Sequence, residues 1–314
     1  MQHIDFQRFR PAIALCLAIG AVVAAGHLID TSGSSRSLYE FRNSLHAPAF
    51  AVLVVIIFLI LRRGAGSRVA FASAAVGALL TAVAGELLQE FGAGEASAAD
   101  LVHDAIGISG TLLLIAFADK RLHFGSGHFV RAVILAVGTA ICAATLFPGL
   151  SYAYAYAARA QAMPHLISFD HDWEKVFYHG YGKASVDPIA SHSDIDRAAV
   201  VSLGRARYSG LAIEPYPDWR SYSALRFSVS SIGQLQRRLT LRINDANHNQ
   251  HYRDRFNRTF EIGETATTIT IPLSEISALA NGRQMQLDSI RSMVFFVVDP
   301  DGTERIIIGD IRLE

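Results

Sequence analysis

Residues 85–110 read GELLQEFGAGEASAADLVHDAIGISG, and they set Glu86, Gln89, Glu90, Asp100 and Asp104 between two of the most apolar runs in the chain. Glu86 shares a helical face with Gln89 and Glu90 at i+3 and i+4, and Asp100 and Asp104 stand one turn apart on the following run. Gly107 continues that second face at a position where another helix can approach closely. A loop of small residues separates the runs. The pattern predicts two apolar helices joined by a turn, with their acids gathered at one end.

The rest of the chain says what surrounds those helices. Its 314 residues are 51% hydrophobic, with a mean hydropathy of +0.28. The apolar excess lies before about residue 150, and the remainder of the chain is polar, charged and alternating. A bilayer core about 30 Å thick needs roughly 20 mostly apolar helical residues. Five segments qualify, approximately Pro11 to Ile29, Ala47 to Leu61, Val69 to Leu88, Leu101 to Ala118 and Phe129 to Phe147.

Basic residues orient these spans, because Lys and Arg stay on the cytoplasmic side. Arg8 and Arg10 precede the first span, Arg62, Arg63 and Arg68 fill the loop after the second, and Lys120, Arg121 and Arg131 fill the loop after the fourth. The loop between spans three and four has none, although Arg36 and Arg42 dilute the alternation. The expectation is a multi-pass membrane protein with the N terminus cytoplasmic and the C-terminal half extracytoplasmic. A cleaved signal peptide competes for the first run, since Ala24, Ala25 and Gly26 suit a processing site; its removal leaves the C-terminal half outside. The domain boundaries read as 1–150 for the helical part, 151–166 for an interfacial linker carrying Tyr152, Tyr154 and Tyr156, and 167–314 for an outer domain.

Net charge is zero, with no dense Lys/Arg stripe interleaved with aromatics, which argues against a nucleic-acid partner. The two cysteines, Cys16 and Cys142, lie far apart in apolar runs and suggest neither a zinc site nor a disulfide framework.

In this topology the acids of 85–110 share the outer membrane face with His46, which opens the second span in LHAPAF. Asp100 also suits a first helical turn, where the helix dipole favours an acid, and Glu90 suits hydrated headgroups. Glu86 and Asp104 lie deeper in apolar runs, where ionisable groups usually face a bundle interior. The set His46, Glu86, Gln89, Asp100, Asp104 and Gly107 resembles the VanZ-like family over about residues 35–118. That family places a His at the start of one span, E-x-x-Q at the end of the next, and D-x-x-x-N-x-x-G at the start of the following one. Here Asp104 replaces the Asn, and Glu95 stands in the loop that usually carries an Arg. The resemblance implies a role at the bacterial cell envelope, in the inner (cytoplasmic) membrane with the C-terminal half on the periplasmic side; membrane lipids are the expected partners of the spans.

From about Ile167 the period changes. ALRFSVSS (224–231), RLTLRIND (238–245), TATTITIPL (265–273), SMVFFVVD (292–299) and RIIIGDIRL (305–313) are short runs, several of them alternating and rich in Val, Ile, Thr and Phe. Turn chemistry such as Asp299-Pro300-Asp301-Gly302 separates them, which predicts an antiparallel all-β sandwich after the all-α helical bundle. The strand pattern, IPLSEI (271–276) and the closing IIIGDIRLE (306–314) resemble galactose-binding-like jelly rolls of carbohydrate-binding modules. That resemblance implies a structural calcium, with Asp170 and Asp310 as the matching acids. The polar, aromatic stretch 245–260 offers Asp245, His248, Tyr252, Arg253, Asp254, Arg255 and Asn257 as glycan-binding candidates, planar hydrogen-bonding groups beside a ring. Trp173 and Trp219 suit either stacking platforms or core positions.

The leading reading is an envelope membrane protein whose outer sandwich binds a glycan, a lipid-linked precursor or an envelope partner, and whose helices hold an outer-leaflet polar pocket for an amphiphile. Two others stay open. One is a membrane enzyme acting on a lipid-linked glycan or phospholipid headgroup, with Glu86 or Asp104 as acid or base and His46 as partner. The other is a structural anchor presenting the sandwich to a protein. No G-x-S-x-G, H-E-x-x-H, Walker or Rossmann motif is present.

Overall fold

The computed structural model describes residues 35–90, 98–124, 127–192, 194–233 and 236–314. The first apolar run, Glu95, and the side chains of Gln89 and Glu90 lie outside the described residues. The chain divides into two compact units, Met1–Ser151 and Tyr152–Glu314.

In the first unit the described helices are α1 (Arg36–Ser44), α2 (His46–Ala65), α3 (Ser67–Glu90), α4 (Ala98–Ala118) and α5 (His128–Ala162), the last running on into the second unit. Among the described residues four stretches are long and apolar enough to cross a membrane: Arg36–Ala65, Ser67–Leu88, Ala98–Ala118 and His128–Ala162. Small residues allow close packing. Ala70, Ala74, Ala78 and Ala82 recur every fourth position on α3 and are buried against a cluster holding Leu53, Val54, Ile57 and Phe58 of α2 and Ile108 and Ile115 of α4. Gly107 lets α4 approach α2 so nearly that a Cβ there would lie 2.5 Å from the Ala47 carbonyl oxygen. At one end of these helices Asp119 accepts from Ser67 Oγ at 2.7 Å and pairs with Arg62 Nε at 2.9 Å, tying the α2–α3 turn to the end of α4.

The second unit is an antiparallel jelly-roll sandwich. Its strands are β1 (His165–Ile167), β2 (Tyr178–Tyr181), β3 (Ser185–His192), β4 (Ile195–Ser202), β5 (Tyr208–Ile213), β6 (Ala224–Ile232), β7 (Arg237–Asp245), β8 (Phe256–Ile262), β9 (Thr267–Pro272), β10 (Ile290–Val298) and β11 (Arg305–Leu313), with a short helix α6 (Leu273–Ser277) after β9. One sheet runs β3-β4-β11-β6-β9 with β1 beside β11, and the other runs β2-β5-β10-β7-β8. Alternation decides which side chains go inside. Leu239, Leu241 and Ile243 of β7, with Met293, Phe295 and Val297 of β10, meet Leu225, Phe227 and Val229 of β6 in the core. Phe227 and Phe295 make an edge-to-face contact at 5.0 Å between the sheets. Trp219 is fully buried with its Nε1 donating to Tyr216 O at 2.7 Å, so it is a core residue and not a platform. Trp173 packs partly buried against the same core.

The segment 151–166 is helical to Ala162 and enters β1 at His165. Of its tyrosines, Tyr154 is exposed, whereas Tyr156 meets Phe177 edge to face at 5.2 Å. Arg159 lies 4.0 Å over the Phe177 ring and donates to Glu214 O at 3.3 Å. The last turns of α5 are thus built into the core of the sandwich unit.

Candidate functional site

The outward phase of the sheet β2-β5-β10-β7-β8 collects planar and charged groups. Core alternation turns Leu239, Leu241 and Ile243 inward, so Arg238, Thr240, Arg242 and Asn244 of β7 face out. Strand register places Tyr181, Gly210, Phe296, Thr240 and Thr259 in one row across five strands, and His179, Ala212, Val294, Arg242 and Asn257 in the next. Ala212, Val294 and Phe296 make a small apolar floor against which Tyr181 packs. Gly210 and Ala212 leave the floor low, and longer side chains meet above it. The Arg242 guanidinium stands 5.7 Å from the Tyr181 ring centroid, and Tyr208 meets Phe296 edge to face at 5.4 Å. Where β8 begins, Arg255 lies 5.1 Å from the Tyr252 ring centroid, with Tyr252 67% exposed.

Two arginines of one face are therefore close together and incompletely satisfied. The Nε atoms of Arg242 and Arg255 are buried and have no hydrogen-bond partner among the described residues. Burial, then the like charge of Arg242, pulls the Arg255 pKa below its usual value. Guanidinium groups remain charged at neutral pH regardless, so the pair favours an anion. Beside this patch lies a hollow of about 600 Å³ lined by Arg238, Thr240, Thr259, Val298 and Glu304 among others. Thr240 and Thr259 share a hydroxyl hydrogen bond at 2.9 Å and lie in the Tyr181 row as well as in the hollow, joining patch and hollow on one face.

The candidates from 245–260 divide into two groups. Tyr252 and Arg253 are exposed, Arg255 is half-buried, and half-buried Asn257 donates to the carbonyls of Tyr252 and Arg255 at 3.4 Å. Asp245, His248 and Asp254 instead point inward. Arg283 grips Asp245 with two bonds, at 2.6 and 3.0 Å, and Asp254 Oδ1 with Nε at 2.6 Å. Asn281 Nδ2 and the Asn249 N–H also donate to Asp254, and the Gln286 N–H donates to Asp245. His248 Nδ1 lies 2.9 Å from the Asp254 carbonyl oxygen. Asp245 and Asp254, each 1% exposed, pin the loop that presents Tyr252 and Arg255. Their pKa values are both lowered, Asp254 chiefly by Arg283 and Asp245 by Arg283 against the opposing effect of burial.

The acids matched to calcium each face cations. Asp170 Oδ2 is 2.8 Å from Arg197 Nε, and Asp310 pairs with Arg312 at 3.1 Å and His165 at 3.5 Å. Asp310 sits where β11 slips register against β6, with a left-handed backbone (φ 45°), so a bulge sets its direction.

In the helical unit His46, Glu86 and Asp104 come together, one from each of α2, α3 and α4. Asp100 lies in the first turn of α4, half-buried, and His103 is exposed. Position 104 is enclosed while 103 faces out, as the helical period requires.

The C-terminal part is similar to solved carbohydrate-binding modules and to part of an agarase. A family 11 carbohydrate-binding module from Clostridium thermocellum, in complex with a β-1,3-1,4-mixed-linked tetrasaccharide, is 17% identical over 48% of this chain and 94% of that one, with a TM-score of 0.37. An exo-β-agarase is 21% identical over 48% of this chain and 24% of its own, with a TM-score of 0.38. A xylan-binding domain of family 22 is 10% identical over 48% of this chain and 90% of its own, with a TM-score of 0.33. No family model and no curated protein matches the chain. The VanZ-like resemblance accordingly rests on its motif residues alone.

Proposed function

We propose that this is a bacterial envelope membrane protein, anchored by VanZ-like helices, whose extracytoplasmic sandwich binds an anionic glycan on the outward face of the sheet β2-β5-β10-β7-β8. The observation that carries the reading is the pair of arginines, Arg242 and Arg255, whose Nε atoms have no partner among the described residues, set beside the rings of Tyr181 and Tyr252. Rings give a sugar a flat surface to stack on. Guanidinium forks give a carboxylate or sulfate two parallel donors. Thr240, Thr259 and Asn257 add hydroxyl and amide groups along the same rows. The 600 Å³ hollow extends the face enough for more than one sugar unit. The helical unit supplies the membrane anchor, and its His46–Glu86–Asp104 layer is placed by this reading near lipid headgroups of the outer leaflet, where an amphiphile would meet it.

The test is a glycan array probed with the full-length protein in detergent, carrying neutral β-glucans, uronic-acid polymers and sulfated polymers. Saturable binding confined to the anionic members is expected, and the two anionic classes separate carboxylate from sulfate recognition. Binding to the neutral members alone contradicts the charge assignment, and binding to none contradicts the glycan reading.

A further inference from the structure

Helices α2, α3 and α4 each contribute one side chain to a cluster in which ligand atoms of His46, Glu86 and Asp104 all lie within 4.8 Å of one another. His46 Nδ1 stands 3.8 Å from Asp104 Oδ1. Glu86 is 5% and Asp104 1% exposed. Asp104 Oδ1 is fully enclosed and accepts no hydrogen bond from the described residues. A buried carboxylate oxygen without a donor is costly, and an ion is one of the few things that satisfies it.

The donor chemistry says which ion. One imidazole and two carboxylates form the mixed nitrogen and oxygen set taken by zinc and by first-row divalent cations such as manganese, whereas calcium and magnesium favour oxygen alone. Around such an ion, ligand atoms about 2.0–2.2 Å from the metal stand roughly 3.3–3.6 Å apart. The 3.8 Å separation of His46 and Asp104 is close to that spacing, and the helix backbones bring all three ligand atoms within 4.8 Å of one another. Those backbones are firmly set where α4 meets α2 at Gly107 and Ala47, next to His46 in sequence and one turn from Asp104. Sites carried on packed helices hold ligand geometry better than sites on loops.

We propose that His46, Glu86 and Asp104 form a mononuclear site for a divalent cation of the zinc or manganese class. Three protein ligands leave at least one coordination position for an exogenous donor. The proposal is independent of glycan binding by the sandwich.

The experiment uses full-length protein in detergent, stripped with EDTA and equilibrated with Zn²⁺ or Mn²⁺ in separate arms. Metal content is measured after desalting. The parent should retain an equimolar amount of the ion in at least one arm, His46→Ala and Asp104→Asn should bind roughly tenfold or more weakly, and His123→Ala, at an exposed position, should bind like the parent. Loading the parent with Co²⁺ gives a reading that needs no variant. A visible spectrum shifted from that of the aquo ion is expected, with four- or five-coordinate bands in the zinc-like case. A parent that retains no ion in either arm, a Co²⁺ spectrum indistinguishable from the octahedral aquo ion, or equal uptake by folded His46→Ala and Asp104→Asn proteins each overturns the proposal.

Discussion

Arg242 reaches to within 5.7 Å of the centroid of the Tyr181 ring although β5 and β10 lie between the strands that carry them. The approach is open because Gly210 and Ala212 occupy the intervening outward positions of β5, and Val294 and Phe296 are buried beneath. A cation and a ring are thus held together over a small apolar floor, an arrangement that would spare the proposed glycan much of the ordering entropy of binding.

Substitution within this face should separate affinity from folding. Arg242→Ala and Arg255→Ala each remove a charge-assisted donor worth about 1.5–3 kcal/mol, or roughly tenfold to a hundredfold in Kd. Tyr181→Ala and Tyr252→Ala should each cost roughly threefold to tenfold through lost stacking. Isothermal titration with a uronic-acid oligomer measures these losses, and circular dichroism should show the sandwich intact. Unchanged Kd values across all four variants would place the ligand elsewhere.

Arg283 anchors the loop that carries Tyr252 and Arg255 through its bonds to Asp245 and Asp254. Arg283→Met leaves Asp245 and Asp254 buried without their cation, and the sandwich transition should fall by roughly 5 °C or more. Acid should act on the same network. Both carboxylates have pKa values held below the ordinary Asp value. Their stabilisation is complete above about pH 3.9 and is lost as pH falls through the lower folded values. Thermal melts of parent and variant from pH 7 to pH 2 should therefore draw closer toward the acid end. A constant gap between the curves would show that the network is not the acid-sensitive element.

At Gly107 a methyl group would meet the Ala47 carbonyl at 2.5 Å. Gly107→Ala should force α4 away from α2 and destabilise the helical unit by about 1–3 kcal/mol. Thermal unfolding in detergent, followed by helical ellipticity, reads the loss. An unchanged midpoint would mean that the helices are not in close contact there.

Calcium at Asp170 and Asp310 would have to compete with Arg197, Arg312 and His165 for the same carboxylates. Melts with EGTA or with millimolar calcium should coincide for the sandwich. A calcium-dependent rise in Tm that disappears in Asp310→Asn would put a structural ion at the bulge.

Local periods were readable in the sequence, and long-range closures were not. RLTLRIND displays its inward leucines and isoleucine and its outward arginines directly, because neighbouring side chains in a strand point to opposite faces. That Arg242 would meet Tyr181 depends on the order β2-β5-β10-β7, which no local pattern encodes. Stretch 245–260 reads as one polar ligand-binding segment for the same reason. Arg283, which turns Asp245 and Asp254 inward, lies 38 and 29 residues further along the chain. In the helical unit the i+3 and i+4 spacings place Glu86 and Asp104 on particular faces, while the convergence of His46 upon them is a consequence of helix packing. The left-handed turn at Gly302 (φ 91°), within Asp-Pro-Asp-Gly, was local and therefore legible.

The most direct measurement of the central claim compares the affinity of the full-length protein for a uronic-acid polymer with its affinity for the same polymer after carboxyl reduction, at low and at physiological salt. Expected are binding at least tenfold weaker to the reduced polymer, a decline with salt for the acidic form only, and loss of the difference in Arg242→Ala/Arg255→Ala. Equal affinity for the two polymers, or a preference that survives removal of both arginines, would contradict it.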